Sequence, residues 1–417
     1  MRGNAFKQGK ENRNMTKSKR RLRATILIVA LFQMSQLTLN PAIDTIAQHF
    51  FGNDITGLAR VQEAFAITSF VTVFSGIASA FLVNKGVMTK RFTMIGGITV
   101  LGLTGVFALF FHTEFWHLQF MAFMIGLAMG TYITNTASIF FDNFTDEERE
   151  PIAGYQTSCI NAGGIFWNLA GGIMCAVVWY GGYLMLMLAI PLAVLAWVTV
   201  PRVPRVKPSK SKDGERAKLP PMIYFYCIVL GVFMAVYNVT SVNLSTHLAQ
   251  AGSTNTALAG FASAAQMAGG VCCGLMFGKL SAKLGDMLLV AACLALVIGY
   301  ALLGLFPNSI VMTFIAVFIA GMSLSCTAPR VMFAVSALAD ERTSATASAI
   351  ANSVAPSLGA FVSPYIFTRL TMKLFGEATG PRYLFTGGVA VIFGVVLMIF
   401  TLLRRNRGIP EVGATKQ

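Results

Sequence analysis

Four polar side chains share the first long apolar stretch of this sequence: Gln33, Gln36, Asn40 and Asp44. Steps of three, four and four put them on one face of an α-helix. Amides in such a stripe are hydrogen-bonding groups for a polar solute. A carboxyl group in a partly dry vestibule is a group that loads and releases protons. Glu63, at the start of the next apolar stretch, is a second acid of this kind, with a surface ion pair to Arg60 one turn away as the competing explanation. Three later stretches carry stripes of their own: Thr131, Asn135 and Ser138; Asn238, Ser241 and Ser245; and Ser323, Thr327 and Arg330. An arginine inside an apolar run must meet water, an acid or an anionic ligand. No acid lies near Arg330 on its own helix, so water or a ligand are the simplest partners unless an acid arrives from another span. Trp167 offers a face for a flat or cationic solute, and Asn168 beside it a hydrogen bond. Ordinary interhelical hydrogen bonding in a dry bundle accounts for many of the Ser and Thr residues, and less well for the recurrence of stripes on four stretches.

The elements that would hold these groups follow from composition. Of 417 residues, 55% are hydrophobic and 12% charged, about half the charge of a soluble domain. This excludes a soluble fold, a disordered chain and a disulfide scaffold, and implies an all-α membrane protein with room for about twelve spanning helices. The apolar runs predict spans at 24–47, 61–83, 92–111, 118–141, 152–178, 182–200, 221–248, 257–278, 287–306, 310–338, 345–368 and 383–403. The third, sixth, ninth and twelfth hold no ionisable or amide side chain, as contact with lipid demands. All seven cysteines fall within spans and read as packing residues. No signal-peptide cleavage pattern, phosphate loop, metal cluster or catalytic nucleophile is apparent, so no cofactor, metal or enzymatic activity is expected. An integral membrane enzyme or sensor is the remote alternative.

Lys and Arg set the orientation. With both termini inside, 27 of them lie in inner segments and 4 outside (Arg60, Arg369, Lys373 and Arg382), with Arg330 inside a span. This accounts for the net charge of +15 without nucleic acid. The basic N-tail 1–23, the linker 201–220 and the C-tail 404–417 are then cytoplasmic. The inner loops carry charges suited to a gate: Lys85, Lys90 and Arg91 facing Asp142, Glu147 and Glu148, and Lys279 and Lys283 facing Asp340 and Glu341. Solvated loop charge is the plainer account of any one pair.

The Pro- and Lys-rich linker divides the chain into six-helix bundles at 24–200 and 221–403. Weak self-similarity joins them: Asp146-Glu147-Glu148-Arg149 against Asp340-Glu341-Arg342, and Leu82-Val83-Asn84-Lys85 against Leu280-Ser281-Ala282-Lys283. The stretch Gly278-Lys279-Leu280-Ser281-Ala282-Lys283-Leu284-Gly285-Asp286 resembles the loop signature of the major facilitator superfamily, with Ala282 in place of its acid. The resemblance covers nearly the whole chain. It implies alternating access, with the first, fourth, seventh and tenth spans lining a cavity, and coupling to a proton gradient. Gly154, Gly163, Gly171 and Gly172 resemble the glycine skeleton of drug:proton antiporters, but Trp167-Asn168 replaces its Gly-Pro and Ala122 stands in place of its arginine. Close packing of the fifth span against the eleventh is the preferred reading of these glycines. The expectation is a monomeric, proton-coupled secondary transporter of a small organic solute in a plasma membrane, that of a bacterium, with efflux favoured. The alternative is a proton-coupled importer of an organic anion.

Overall fold

The computed structural model describes residues 18–52, 54, 56–144, 146–201, 219–338, 347 and 350–406. They form helices and no strand. The first span is not one helix. Helix α1 covers residues 18–31, a turn follows, a 3-10 segment runs Ser35–Ala42, and α2 covers Ile43–Phe51. Pro41 lies inside the 3-10 segment. It cannot donate to the ladder, and its ring disfavours the α conformation at Asn40 before it.

The remaining spans follow in order. They are α3 (Gly57–Asn84), α4 (Lys90–Phe110), α5 (Phe115–Asn143) and α6 (Asp146–Val177). The sixth span is α7 (Gly181–Met185), one 3-10 turn and α8 (Ala189–Thr199). The second half contains α9 (Pro221–Gln250), α10 (Thr256–Leu284), α11 (Met287–Leu305) and α12 (Ile310–Leu338). Helix α4 starts where Thr89 accepts the Phe92 N–H at 3.2 Å, and α10 where Asn255 accepts the Ala257 N–H at 2.9 Å. The eleventh span comes in pieces: π-helix Ile350–Val354, α13 (Ala355–Ser363), π-helix Pro364–Leu370 and α14 (Thr371–Phe375). Pro356 and Pro364 break its α ladder. The last helix, α15, covers Thr379–Asn406.

Among the described residues, eleven helices are long and apolar enough to cross a membrane, and the pieces between 350 and 375 supply the twelfth crossing. With an even number of crossings, residues 18 and 406 share one side of the bundle, the tail side, opposite the far side.

The two halves repeat the same packing. The second span lies on the fourth and the eighth on the tenth, through glycines that let backbones touch. A Cβ at Gly126 would meet the Thr68 carbonyl at 2.6 Å, and one at Gly321 would collide with the Gln266 carbonyl. Gly163 and Gly171 of α6 bear on Leu31 and Thr38 of the first span, and Gly359 of α13 on Gly231 of α9. Gly163 and Gly171 of the fifth span therefore pack against the first span. Gly172 crosses to the other half, where its Cβ would stand 2.9 Å from the Gly260 Cα of α10. Among the described residues, these glycines do not meet the eleventh span as expected. The eleventh span lies on α3 and α9 instead. Close-approach glycines announce a tight crossing in sequence but carry no mark of the partner. Large apolar side chains point outward along the third, sixth, ninth and twelfth spans, among them Leu103, Val194, Leu294 and Ile392.

Candidate substrate pathway and far-side seam

The break in the first span creates the site's scaffold. Leaving the α ladder frees carbonyls that a bilayer interior cannot solvate. The Leu31 carbonyl accepts from Trp167 Nε1 at 2.8 Å, and the Phe32 carbonyl from the Tyr132 hydroxyl at 2.8 Å. Phe32 packs edge-on against the Trp167 ring, 5.0 Å between centroids. Trp167 is fully buried. In this conformation it braces the break, and its face is covered.

The same break alters the polar stripe. Gln33 lies in the turn, Gln36 and Asn40 in the 3-10 segment and Asp44 in α2, so one α-helical face does not hold all four. Gln36 is exposed, whereas Gln33 and Asn40 are half-buried. Unwound segments at mid-span with free polar groups are a common way to build a solute site in transporters. Asn135 donates to the Thr131 carbonyl at 2.7 Å and to Ser79 at 3.2 Å. Asn168 donates to the Gly164 carbonyl at 2.8 Å, while its own side-chain oxygen is buried without a partner. Asn238 makes a long 3.5 Å contact to the Ala360 carbonyl. Thr131 and Thr327 turn back onto their own helices at Leu127 and Ser323, as the dry-bundle explanation anticipates.

Polar contacts join the halves near the far side. The Asp44 backbone N–H donates to Ser245 at 3.3 Å, and Gln48 donates to the Asp44 carboxylate at 2.9 Å. Gln62 Nε2 donates to the Val242 carbonyl at 2.8 Å and to Asn243 Oδ1 at 3.1 Å. Glu63 pairs with Arg369 at 3.0 Å. Its partner is thus on the opposite half, and Arg60 lies over the Phe51 ring instead. Deeper in, Phe70 meets Phe361 at 4.9 Å.

A second charged cluster sits in the second half toward the tail side. Arg330 donates from Nε at 3.1 Å and Nη2 at 2.8 Å to one oxygen of Asp286. The other oxygen accepts from the Tyr226 hydroxyl at 3.1 Å and lies 3.6 Å from Arg404. The Arg330 and Asp286 side chains are 3% and 5% exposed. The expectation of water or a ligand as the simplest partner gives way to an acid from the head of α11. Asp286 is the last residue of the loop stretch that resembles a family signature, and no local pattern sets the register that aims it at Arg330.

A family model described as the Major Facilitator Superfamily matches residues 25–364. The chain belongs to the major facilitator superfamily. No curated protein matches it significantly in sequence. Solved superfamily structures share its fold at low identity. The nucleoside transporter NupG aligns with a TM-score of 0.71 at 12% identity, over 91% of this chain and 98% of that one. The POT family transporter PepTSo gives 0.72 at 9% identity, over 92% and 98%. A bacterial homologue of the human lysosomal transporter Spinster, in an inward-facing and occupied conformation, gives 0.67 at 14% identity, over 92% and 96%.

Lys85 rests over the Phe81 ring, 4.3 Å from its centroid. Arg91 donates to the Trp197 carbonyl and stacks on that indole at 5.0 Å, so this cation is engaged by the sixth span. Lys90 opens α4, and Lys279 and Lys283 are exposed at the end of α10. Asp142, Glu147 and Glu148 are on helices whose side chains there fall outside the described residues, as do Asp340 and Glu341 altogether.

Sequence reasoning missed a polar cluster on the far side. Arg382 was counted among outer loop charges, yet α15 begins at Thr379 and carries Arg382 inward to 1% exposure. Its Nη1 donates to Asn243 Oδ1, the atom that also accepts from Gln62. Buried His247 bonds Thr379 at 2.8 Å and meets the Tyr383 ring edge-on. The signal available in sequence was the pair Asn243 and His247, four residues apart on a seventh span otherwise read only for Asn238, Ser241 and Ser245.

Proposed function

We propose that this superfamily member is a proton-coupled secondary transporter that moves a small organic solute across a bacterial cytoplasmic membrane by alternating access. The tails and the linker 201–220 face the cytoplasm in this reading, and the chain works as a monomer. The observation that carries it is the far-side seam: Asp44, Gln62 and Glu63 of the first half meet Ser245, Asn243 and Arg369 of the second. Contacts of this kind close one entrance and must part for the other state. The Glu63–Arg369 pair is partly exposed, with 20% and 56% of each side chain accessible, and is weak enough to break in every cycle. Asp44, joined to the opposite half through its own backbone, is the proton carrier, and Glu63 is the next candidate. Gln33, Gln36 and Asn40 on the unwound part of the first span are the first solute contacts, with Asn135, Asn168 and Asn238 reached when their present bonds exchange.

Efflux is the proposed direction. It rests on the resemblance to drug:proton antiporters, although the glycines that carry that resemblance also pack α6 against the first span. Import of an organic anion is the second reading, and buried Arg382 favours it over Arg330, which already has Asp286.

The test uses purified protein in vesicles with an imposed pH gradient and a labelled metabolite library. Wild type should accumulate at least one solute at the expense of the gradient. Asp44→Asn keeps size and hydrogen bonding but removes the proton site, and should abolish accumulation while leaving exchange intact. Uphill transport at the wild-type rate by Asp44→Asn refutes its coupling role. Orientation has its own check. An impermeant thiol reagent applied to intact cells should fail to label a cysteine placed in the linker, and efficient labelling there reverses the assignment.

A further inference from the structure

Among the described residues, Arg382 is a buried cation without a matching acid. Only Nη1 has a hydrogen-bond partner, the Asn243 amide oxygen, while Nε and Nη2 have none. The acid whose field reaches it, Glu377, is exposed and makes no ion pair with it. A fully buried guanidinium in this state leaves two donors and a charge uncompensated, a costly arrangement unless something else satisfies them. Other buried polar atoms on residues of this contact network are orphaned too: His247 Nε2, the Tyr383 hydroxyl and Gln62 Oε1. Asn243 links this cluster to the seam, because its Oδ1 accepts from Arg382 on one side and from Gln62 of the other half on the other.

We propose that Arg382 is the anion-recognition group of the far-side-open state, taking the carboxylate of a small organic anion on its free Nε and Nη2. This rests on the alternating-access reading. When the halves part, Gln62 leaves Asn243, and the face of Arg382 behind it becomes reachable from the far side. A planar guanidinium with two adjacent free donors matches a carboxylate in two-pronged geometry. With the seam closed, Asn243 holds the fork in place. Chloride shares the charge but not the two-oxygen geometry, so it separates a resident inorganic ion from a carboxylate solute.

The experiment measures the melting temperature of the purified full-length protein against rising formate, acetate, benzoate and chloride, at constant ionic strength with HEPES as the balancing ion. Wild type should be stabilised saturably, more by carboxylates than by chloride. Arg382→Gln should weaken that binding by about thirtyfold or more. Arg382→Lys should weaken it less and lose the preference for carboxylates. Asn243→Asp puts a carboxylate beside Arg382. It should raise the melting temperature without added anion and abolish the anion response, which keeps the test informative should Arg382→Gln fail to fold. Arg369→Gln loosens the seam and should tighten apparent anion binding, since less free energy is spent on opening. Indifference of wild type to all four anions overturns the proposal. Equal effects of chloride and carboxylates overturn solute recognition in favour of a resident ion. An anion response that Arg369→Gln leaves unchanged overturns the gated access while the site itself stands. Solute flux in vesicles without any anion response removes Arg382 from the site and leaves the transporter reading intact.

Discussion

At the scale of residues, a buried charge is defined by what it meets, and two arginines of this chain illustrate opposite outcomes. Arg330 finds Asp286 and the Tyr226–Arg404 group around it. Arg382 finds one amide oxygen. The Asp286 carboxylate sits at the head of α11, where the helix dipole favours a negative charge, and it serves two arginines. Removing it takes from buried Arg330 the carboxylate that it bonds twice, and from Arg404 a neighbour at 3.6 Å. Asp286→Ala should therefore destabilise the protein by about 3–5 kcal/mol, read as a lower melting temperature. Arg330→Ala should cost less, because Arg404 still faces Asp286. Equal melting temperatures for Asp286→Ala and wild type would show that the pair adds nothing to the fold. Sequence made Arg330 conspicuous, as a charge in an apolar run. It could not reveal Asp286 as the partner, because the two lie 44 positions apart with the whole of α11 between them. Nor did it reveal Arg382, whose position three residues into α15 turns on where that helix starts.

At the scale of elements, the breaks matter more than the regular helices. Pro41 and the freed Leu31 and Phe32 carbonyls define the first span, and Trp167 and Tyr132 satisfy those carbonyls from α6 and α5. The polar residues Gln33, Gln36, Asn40 and Asp44 were legible as a group. Their assumed single face was not, because periodicity counts residues as if the helix were continuous. The glycines of α6 hold this arrangement against the first span. A Cβ at Gly171 would collide with the Thr38 carbonyl, whereas one at Gly96 of α4 meets nothing within 4 Å. Gly171→Ala should lower the melting temperature markedly, by the equivalent of about 1–3 kcal/mol or more, as overpacking does. Gly96→Ala should be neutral or slightly stabilising. Comparable melting temperatures for the two variants would mean that the α6 crossing tolerates separation from the first span.

At the scale of the whole molecule, twelve crossings and two similar halves were readable because hydropathy and the basic linker report on them directly. The relation between the halves was not readable, since Gln62 with Asn243 and Glu63 with Arg369 are contacts across the seam with no local sequence signature. In the proposed cycle the far side closes through these contacts and opens when they part. The most direct measurement is a spin-label distance between Thr113→Cys and Asn308→Cys, exposed positions in far-side loops of the two halves, with the native cysteines replaced. In lipid vesicles two distance populations are expected, with the longer one enriched when Arg369→Gln removes the ion pair. A single distance, the same in wild type and Arg369→Gln, would contradict that cycle.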